Sequence, residues 1–115
     1  ELMANSFKNK KVDLTTTDLT TLYTVPTATT TVIKSILVSD DSGSGTTIDV
    51  TLVNSSSAIF SLFKSKSISG NATTELLTQP LVMEESEILK VQSGYANRLH
   101  VVASILEIQP REVTT

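Results

Sequence analysis

The chain carries one histidine, His100, and no cysteine. A nucleophilic triad needs an imidazole oriented between an acid and a hydroxyl or thiol. His100 instead stands between Leu99 and Val101 in an apolar run, the setting of a structural histidine. Thiolate chemistry, disulfides and metal sites built on histidine or cysteine are excluded by number. Oxygen ligands for calcium exist in Asp40 and Asp41, and in Glu84, Glu85 and Glu87. Neither group has the alternating acidic spacing and closing glutamate of a calcium loop, so both are read as solvated acidic turns. Glu84 and Glu87 resemble a glycosidase carboxylate pair only in type, because no tryptophan is present to stack a sugar ring. Gly43-Ser44-Gly45 lacks the Lys-Ser/Thr and helix of a phosphate loop. The sequons Asn54-Ser55-Ser56 and Asn71-Ala72-Thr73 are read as turns. The expectation is a non-enzyme with no catalytic, cofactor or metal residues.

The elements behind these residues follow from composition. With 115 residues, 39% of them hydrophobic and 18% charged, the chain has the make-up of one globular domain. Valine, isoleucine and threonine are abundant, which favours pleated sheet over helix. A net charge of -3 and a pI near 5.0 speak against nucleic acid as a partner. The basic run Lys8-Asn9-Lys10-Lys11 reads as a lysine-guarded edge strand or arm. No apolar run approaches membrane-spanning length and the N-terminus lacks a signal peptide's apolar core, so no membrane partner is expected. Glu1-Leu2 ahead of Met3 reads as a cloning remnant.

The stretch Thr31–Val53 is read as the centre of the fold, a hairpin of two strands joined by the flexible, solvent-facing loop Asp40–Gly45. In its second arm Ile48, Val50 and Leu52 alternate with Thr47, Asp49 and Thr51, the period of a strand with one buried face. Further strands are expected at Phe7–Leu14, at Leu19–Val25 before Pro26, at Ala58–Lys64, Thr74–Leu77, Leu81–Met83, Glu87–Gln92 and Arg98–Ile108. About eight short strands separated by turns predict an all-β antiparallel sandwich, jelly-roll-like, over residues 7–109. Residues 1–6 are read as an N-terminal remnant and arm, and 110–115 as a flexible tail.

Three of these strands carry large apolar groups at both parities. A sandwich strand has one outward face, so some of Ile33, Leu37, Phe60, Leu62, Val102 and Leu106 are expected to point away from the core. Each such side chain left in water forgoes about 1.5–3 kcal/mol. The reading is that they form the contact surface of a homo-oligomer, with Phe7 and Lys8 of the arm docking on a neighbour.

The run Leu22-Tyr23-Thr24-Val25-Pro26, followed by a small-residue turn and the strand Thr31–Val38 with Lys34-Ser35-Ile36, resembles small virion proteins of tailed bacteriophages, marine ones especially. Gln79–Val91, with its acidic turn, and the closing strand Leu99–Ile108 resemble later parts of the same pattern. One departure falls at Glu85-Ser86, where the pattern has a glycine. The resemblance spans Phe7–Ile108 and implies a non-enzymatic structural role: capsid decoration, or a neck or tail component. It implies localisation in the virion, and partners that are other virion proteins and copies of the chain itself, a trimer being the expected count. The alternative is a host-surface module of a tail or fibre that binds glycan or protein through its loops at Asp40, Asp41, Tyr95 and Arg98.

Overall fold

A computed structural model describes residues 4–109; Glu1-Leu2, expected to be a remnant, and the expected tail at 110–115 lie outside them. The described residues form nine strands: β1 (Ala4–Leu14), β2 (Thr20–Thr24), β3 (Thr30–Asp40), β4 (Thr46–Val53), β5 (Ile59–Ile68), β6 (Thr73–Glu75), β7 (Leu81–Met83), β8 (Ile88–Ser93) and β9 (Leu99–Gln109). One sheet runs β1-β9-β3-β6, with β7 also on β3, and the other runs β2-β8-β4-β5. Every pairing is antiparallel.

First strand therefore pairs with last, second with second-last, third with β6 and β7, and β4 with β5. That is a long hairpin folded over on itself, the jelly roll the spacing of turns predicts. Its tip is the β4–β5 turn, where Asn54 Oδ1 accepts the Ser56 and Ala58 amides at 2.9 Å each. The hairpin expected at Thr31–Val53 is not formed. β3 and β4 lie in different sheets, and Asp40–Gly45 is a corner between them.

That corner is also more ordered than a flexible loop. Asp40 is buried, and its carboxylate accepts the amides of Ser42, Gly43 and Gly45 at 2.9–3.0 Å and that of Asn71 at 3.3 Å. One side chain thus ties the β3–β4 corner to the β5–β6 corner. Gly45 has φ +70, and a Cβ there would lie 2.6 Å from the Ile68 carbonyl oxygen. A Cβ on Gly70 would collide with the Gly43 carbonyl. The two corners interlock only because both positions are glycine.

The core lies between the sheets. Leu99, Val101, Ala103, Ile105, Ile36 and Val38 meet Ile48, Val50, Leu89 and Val91, all essentially buried. Strand β9 alternates strictly, its odd residues inward. In β3 the alternation breaks: Thr31 and Ile33 are buried, then Ile36, Val38 and Asp40. The break is a bulge, since Ile33 pairs with Ile105 and Ser35 with Ser104, which leaves Lys34 as the extra residue. The apolar residues at both parities here come from one strand that changes its inward parity halfway. A second bulge in β2, between Thr21 and Tyr23, buries Leu22 and Tyr23 together.

Strand bounds differ from expectation in two places. β5 runs on through Lys64–Ser67 to the buried Ile68, held past the register shift near Asp49 by a 2.6 Å bond from the Ser65 amide to Asp49 Oδ1. β1 begins at Ala4, so residues 4–6 pair with Glu107–Gln109.

Deleting Lys34 tests the bulge. Without it Ile33, Ser35 and Ile36 stand directly opposite Ile105, Ser104 and Ala103, so the ladder becomes regular and Ile36 and Val38 stay buried. Deleting Ser104 from the unbulged β9 instead turns the core residues on one side of the gap outward, at about 1.5–3 kcal/mol each, against a whole-domain stability of about 5–15 kcal/mol. The Lys34 deletion is expected to lower the urea midpoint far less than the Ser104 deletion; equal losses contradict the assignment.

Candidate functional site

Two polar assemblies and two apolar patches are the features that could act. The first assembly bridges the sheets. Bulged into the core, the Tyr23 hydroxyl lies 2.7 Å from Thr31 Oγ1 and donates to Glu107 Oε2 at 2.5 Å. Glu107 is only 6% exposed, and its other oxygen meets Lys8 Nζ at 2.9 Å. Burial pushes the Glu107 carboxyl up, but the Tyr23 hydroxyl and the Lys8 ammonium outweigh it and hold the group below its usual value. Burial, with the neighbouring carboxylate, drives the Tyr23 phenol upward. Glu107 is thus an anion that fastens β1, through Lys8, to the body of the fold. Sequence reasoning missed both Tyr23 and Glu107. A glutamate at an inward parity of β9 was the available signal.

The second assembly joins the loops expected to make contacts. Arg98 Nη1 donates to the Gly45 carbonyl at 2.8 Å, and the Asp41 amide donates to the Arg98 carbonyl at 3.3 Å. The Arg98 guanidinium lies 4.0 Å from the Tyr95 ring centroid, a cation–π contact. The structure therefore brings Asp41, Tyr95 and Arg98 together, while Asp40 points inward with its carboxylate occupied. His100, on the outer face, has Nε2 at 3.2 Å from Asp13 Oδ1 and Nδ1 at 3.8 Å from Asp41 Oδ2. Among the described residues no cluster of histidine and carboxylates is arranged to hold a metal ion.

The first apolar patch is on the outer face of the β1-β9-β3 sheet. Phe7 pairs with Leu106, Leu106 with Val32, and Val32 with Val82, so the four form one cross-strand row. Phe7 is 77% exposed and Val82 58%. A second row holds Lys11, Val102, Leu37 and Glu75. Leu37, Val102 and Leu106 thus share one face, while Ile33, expected among the outward candidates, is fully buried because the bulge separates its parity from that of Leu37. Phe60 and Leu62 do not join them. Phe60 pairs with the buried Leu52 and so lies on the inner side of the other sheet, half exposed at its β5 margin beside Ile59. Leu62 sits at a bulge and packs partly on the core together with Phe63. On the outer face of that sheet, a groove of about 550 Å³ runs past Leu19, Thr51, Val53 and Lys90.

The acidic turn Glu84–Glu87 closes tightly against the end of the β2 segment. Ser86 has φ +69, the left-handed conformation that a glycine takes most easily, and its amide donates to the Val25 carbonyl at 3.0 Å.

The site and scaffold together define a jelly-roll β-sandwich with an uncovered apolar outer face. No family model matches the chain, and no curated protein matches it. Among solved structures it is similar to a chain of the virus-like particle of extra small virus, from the giant freshwater prawn Macrobrachium rosenbergii. The identity is 11%, the coverage 96% of this chain and 81% of that one, and the TM-score 0.49. At that distance the likeness is one of outline, and no function passes with it.

Two outcomes follow from the polar assemblies. Tyr23→Phe leaves buried Thr31 and Glu107 groups short of a partner and is expected to cost about 1–3 kcal/mol in urea unfolding. Asp40 and Glu75 are also held low. At Asp40 burial is outweighed by the amides of Asn71, Gly43 and Ser42. At Glu75 it is outweighed by the Ser35 hydroxyl and the Ile36 and Leu77 amides. Groups depressed in the folded state stabilise it fully above the unfolded carboxyl range of about 3.9–4.3, and that contribution fades as pH falls through the lower folded values. The urea midpoint should hold from neutral pH down toward 5, then drop. Asp40→Asn should lower the neutral plateau and flatten the acid limb; an unchanged profile contradicts the role given to Asp40.

Proposed function

We propose that this chain is a non-enzymatic virion structural protein that associates with copies of itself and attaches to a larger particle. The observation that carries the reading is the row Phe7, Leu106, Val32 and Val82, an apolar stripe on an outer sheet face that no element among the described residues covers. Burying it against another chain recovers the transfer free energy that folding leaves unclaimed. The likeness of Leu22–Val38 and Gln79–Val91 to small proteins of tailed phages favours capsid decoration or a neck or tail position, with a trimer as the expected count.

A subunit in a particle needs one contact with its copies and one with the rest of the shell. The stripe, extended by Val102 and Leu37, suits the first. The separate margin at Ile59 and Phe60 suits the second, because it lies on the opposite sheet and leaves both contacts free to form at once. Host recognition through the loops is the weaker reading. One face of Tyr95 is taken by Arg98, and the Asp40 carboxylate is turned inward, which leaves little for a ligand to grip.

Light scattering across a dilution series is expected to show a mass above one chain that falls on dilution. Phe7→Asp, at a position too exposed to matter for folding, should weaken association at least about tenfold with an unchanged thermal midpoint. A one-chain mass at every concentration, or an assembly indifferent to Phe7→Asp, overturns the reading.

A further inference from the structure

The two edges of the apolar-faced sheet are complementary. One edge is β1, eleven residues long, with no strand of the described residues on its outer side. The other is made by β6 and β7, both paired to β3. Counting across the sheet, β1 is antiparallel to β9, β9 to β3 and β3 to β7, so β1 runs opposite to β6 and β7. A second copy set beside the first in the same orientation would therefore present its β1 antiparallel to the first copy's β6 and β7.

The residue levels then match at two places. Phe7 of one copy stands at the level of Val82 of the other, so the two most exposed members of the stripe, at its opposite ends, pack against each other at the seam. Lys11 stands at the level of Glu75, because both belong to the row through Val102 and Leu37. Among the described residues Lys11 forms no ion pair; its ammonium bonds only the Asn9 amide oxygen, at 3.1 Å. Glu75 is an exposed residue that keeps its negative charge, although its carboxylate already accepts the Ser35 hydroxyl and the Ile36 and Leu77 amides, so it offers Lys11 a charge and its remaining lone pairs. The bulge at Lys34 takes part in this alignment: four residues separate Phe7 from Lys11 on β1, five separate Val32 from Leu37 on β3, and the extra one keeps the rows level.

The rival arrangement, two β1 edges paired with each other, is disfavoured by the same lysines. Antiparallel pairing about Asn9 sets Lys8 against Lys10 and Phe7 against Lys11, and like charges directly opposite repel. The lysines thus reject one partner edge while a glutamate on the other accepts one, which is how charge selects between interfaces.

Resting on the self-association reading above, we propose that copies of this chain join head to tail by sheet continuation, β1 of one copy adding to the β6 and β7 edge of the next. The contact is heterologous. It closes into a ring if the rotation between copies completes a turn, and otherwise runs on as a filament.

The absence of native cysteine makes thiol cross-linking a clean test. Asp13 and Thr73 are exposed and share the next level, through His100 and Ser39, beyond the proposed contact pairs. Asp13→Cys and Thr73→Cys proteins are mixed and treated with a short bis-maleimide; Asn9→Cys is treated alone. Each variant is first checked for the wild-type scattering mass and thermal midpoint. The proposal expects a cross-linked dimer in the mixture and none from Asp13→Cys, Thr73→Cys or Asn9→Cys by itself. Self-cross-linking of Asn9→Cys overturns it in favour of paired β1 edges. Assembly by scattering with no cross-link in the mixture overturns the head-to-tail geometry and leaves self-association standing. A one-chain mass throughout removes both.

Discussion

Each residue of a β-strand can face only one side of its sheet, and a chain rich in Val, Ile and Thr has more apolar groups than one parity can hide. This fold meets that constraint by inserting residues. A bulge at Lys34 lets β3 bury Ile33 below it and Ile36 and Val38 above it. Another in β2 places both Leu22 and Tyr23 inside. Register shifts in β5 let Leu62 and Phe63 both lean on the core. β4, β8 and β9 keep strict alternation, and of these it is β9 that contributes Val102 and Leu106 to the outer face. The uncovered stripe is what remains after the bulges have hidden the rest.

The same devices set the polar chemistry. The β2 bulge delivers the Tyr23 hydroxyl to Glu107, and Glu107 in turn holds Lys8 on β1. After the β3 bulge the inward parity ends at Asp40, whose carboxylate gathers amides from two corners. Burial raises the cost of both anions, and directed donors offset it, so the two carboxylates act as fixed joints of the scaffold. The long β1 strand is anchored by one of these joints yet leaves its far edge open.

Much of the fold was legible in the sequence, for identifiable reasons. Turn residues punctuate the chain often enough to give the strands, and Ile48, Val50 and Leu52 alternate cleanly enough to give a buried face. Parity alone set Val102 and Leu106 against the inward residues of β9, but it also set Leu37 with Ile33, which the bulge keeps inside. Pairing was not legible. Asp40–Gly45 has the composition of a hairpin loop, and nothing local says that its carboxylate will fold it into a corner between sheets. Bulges were equally hidden, because a run with apolar groups at both parities is the same whether the strand is covered twice or shifts phase once. Phe60 was misassigned to an outward face for that reason. Tyr23 and Glu107 lie far apart in sequence, on strands of different sheets, and meet only where the two sheets pack on each other.

What unites these features is a sheet whose outer face and two edges are prepared for another copy. Hydrogen–deuterium exchange followed from dilute to concentrated protein reads those edges directly. The account predicts that exchange slows with concentration in Phe7–Lys11, in Thr73–Glu75 and in Leu81–Met83, while the loop Tyr95–Arg98 is unaffected. Slowing confined to that loop or to Ile59–Leu62, or no dependence on concentration anywhere in β1, would contradict it.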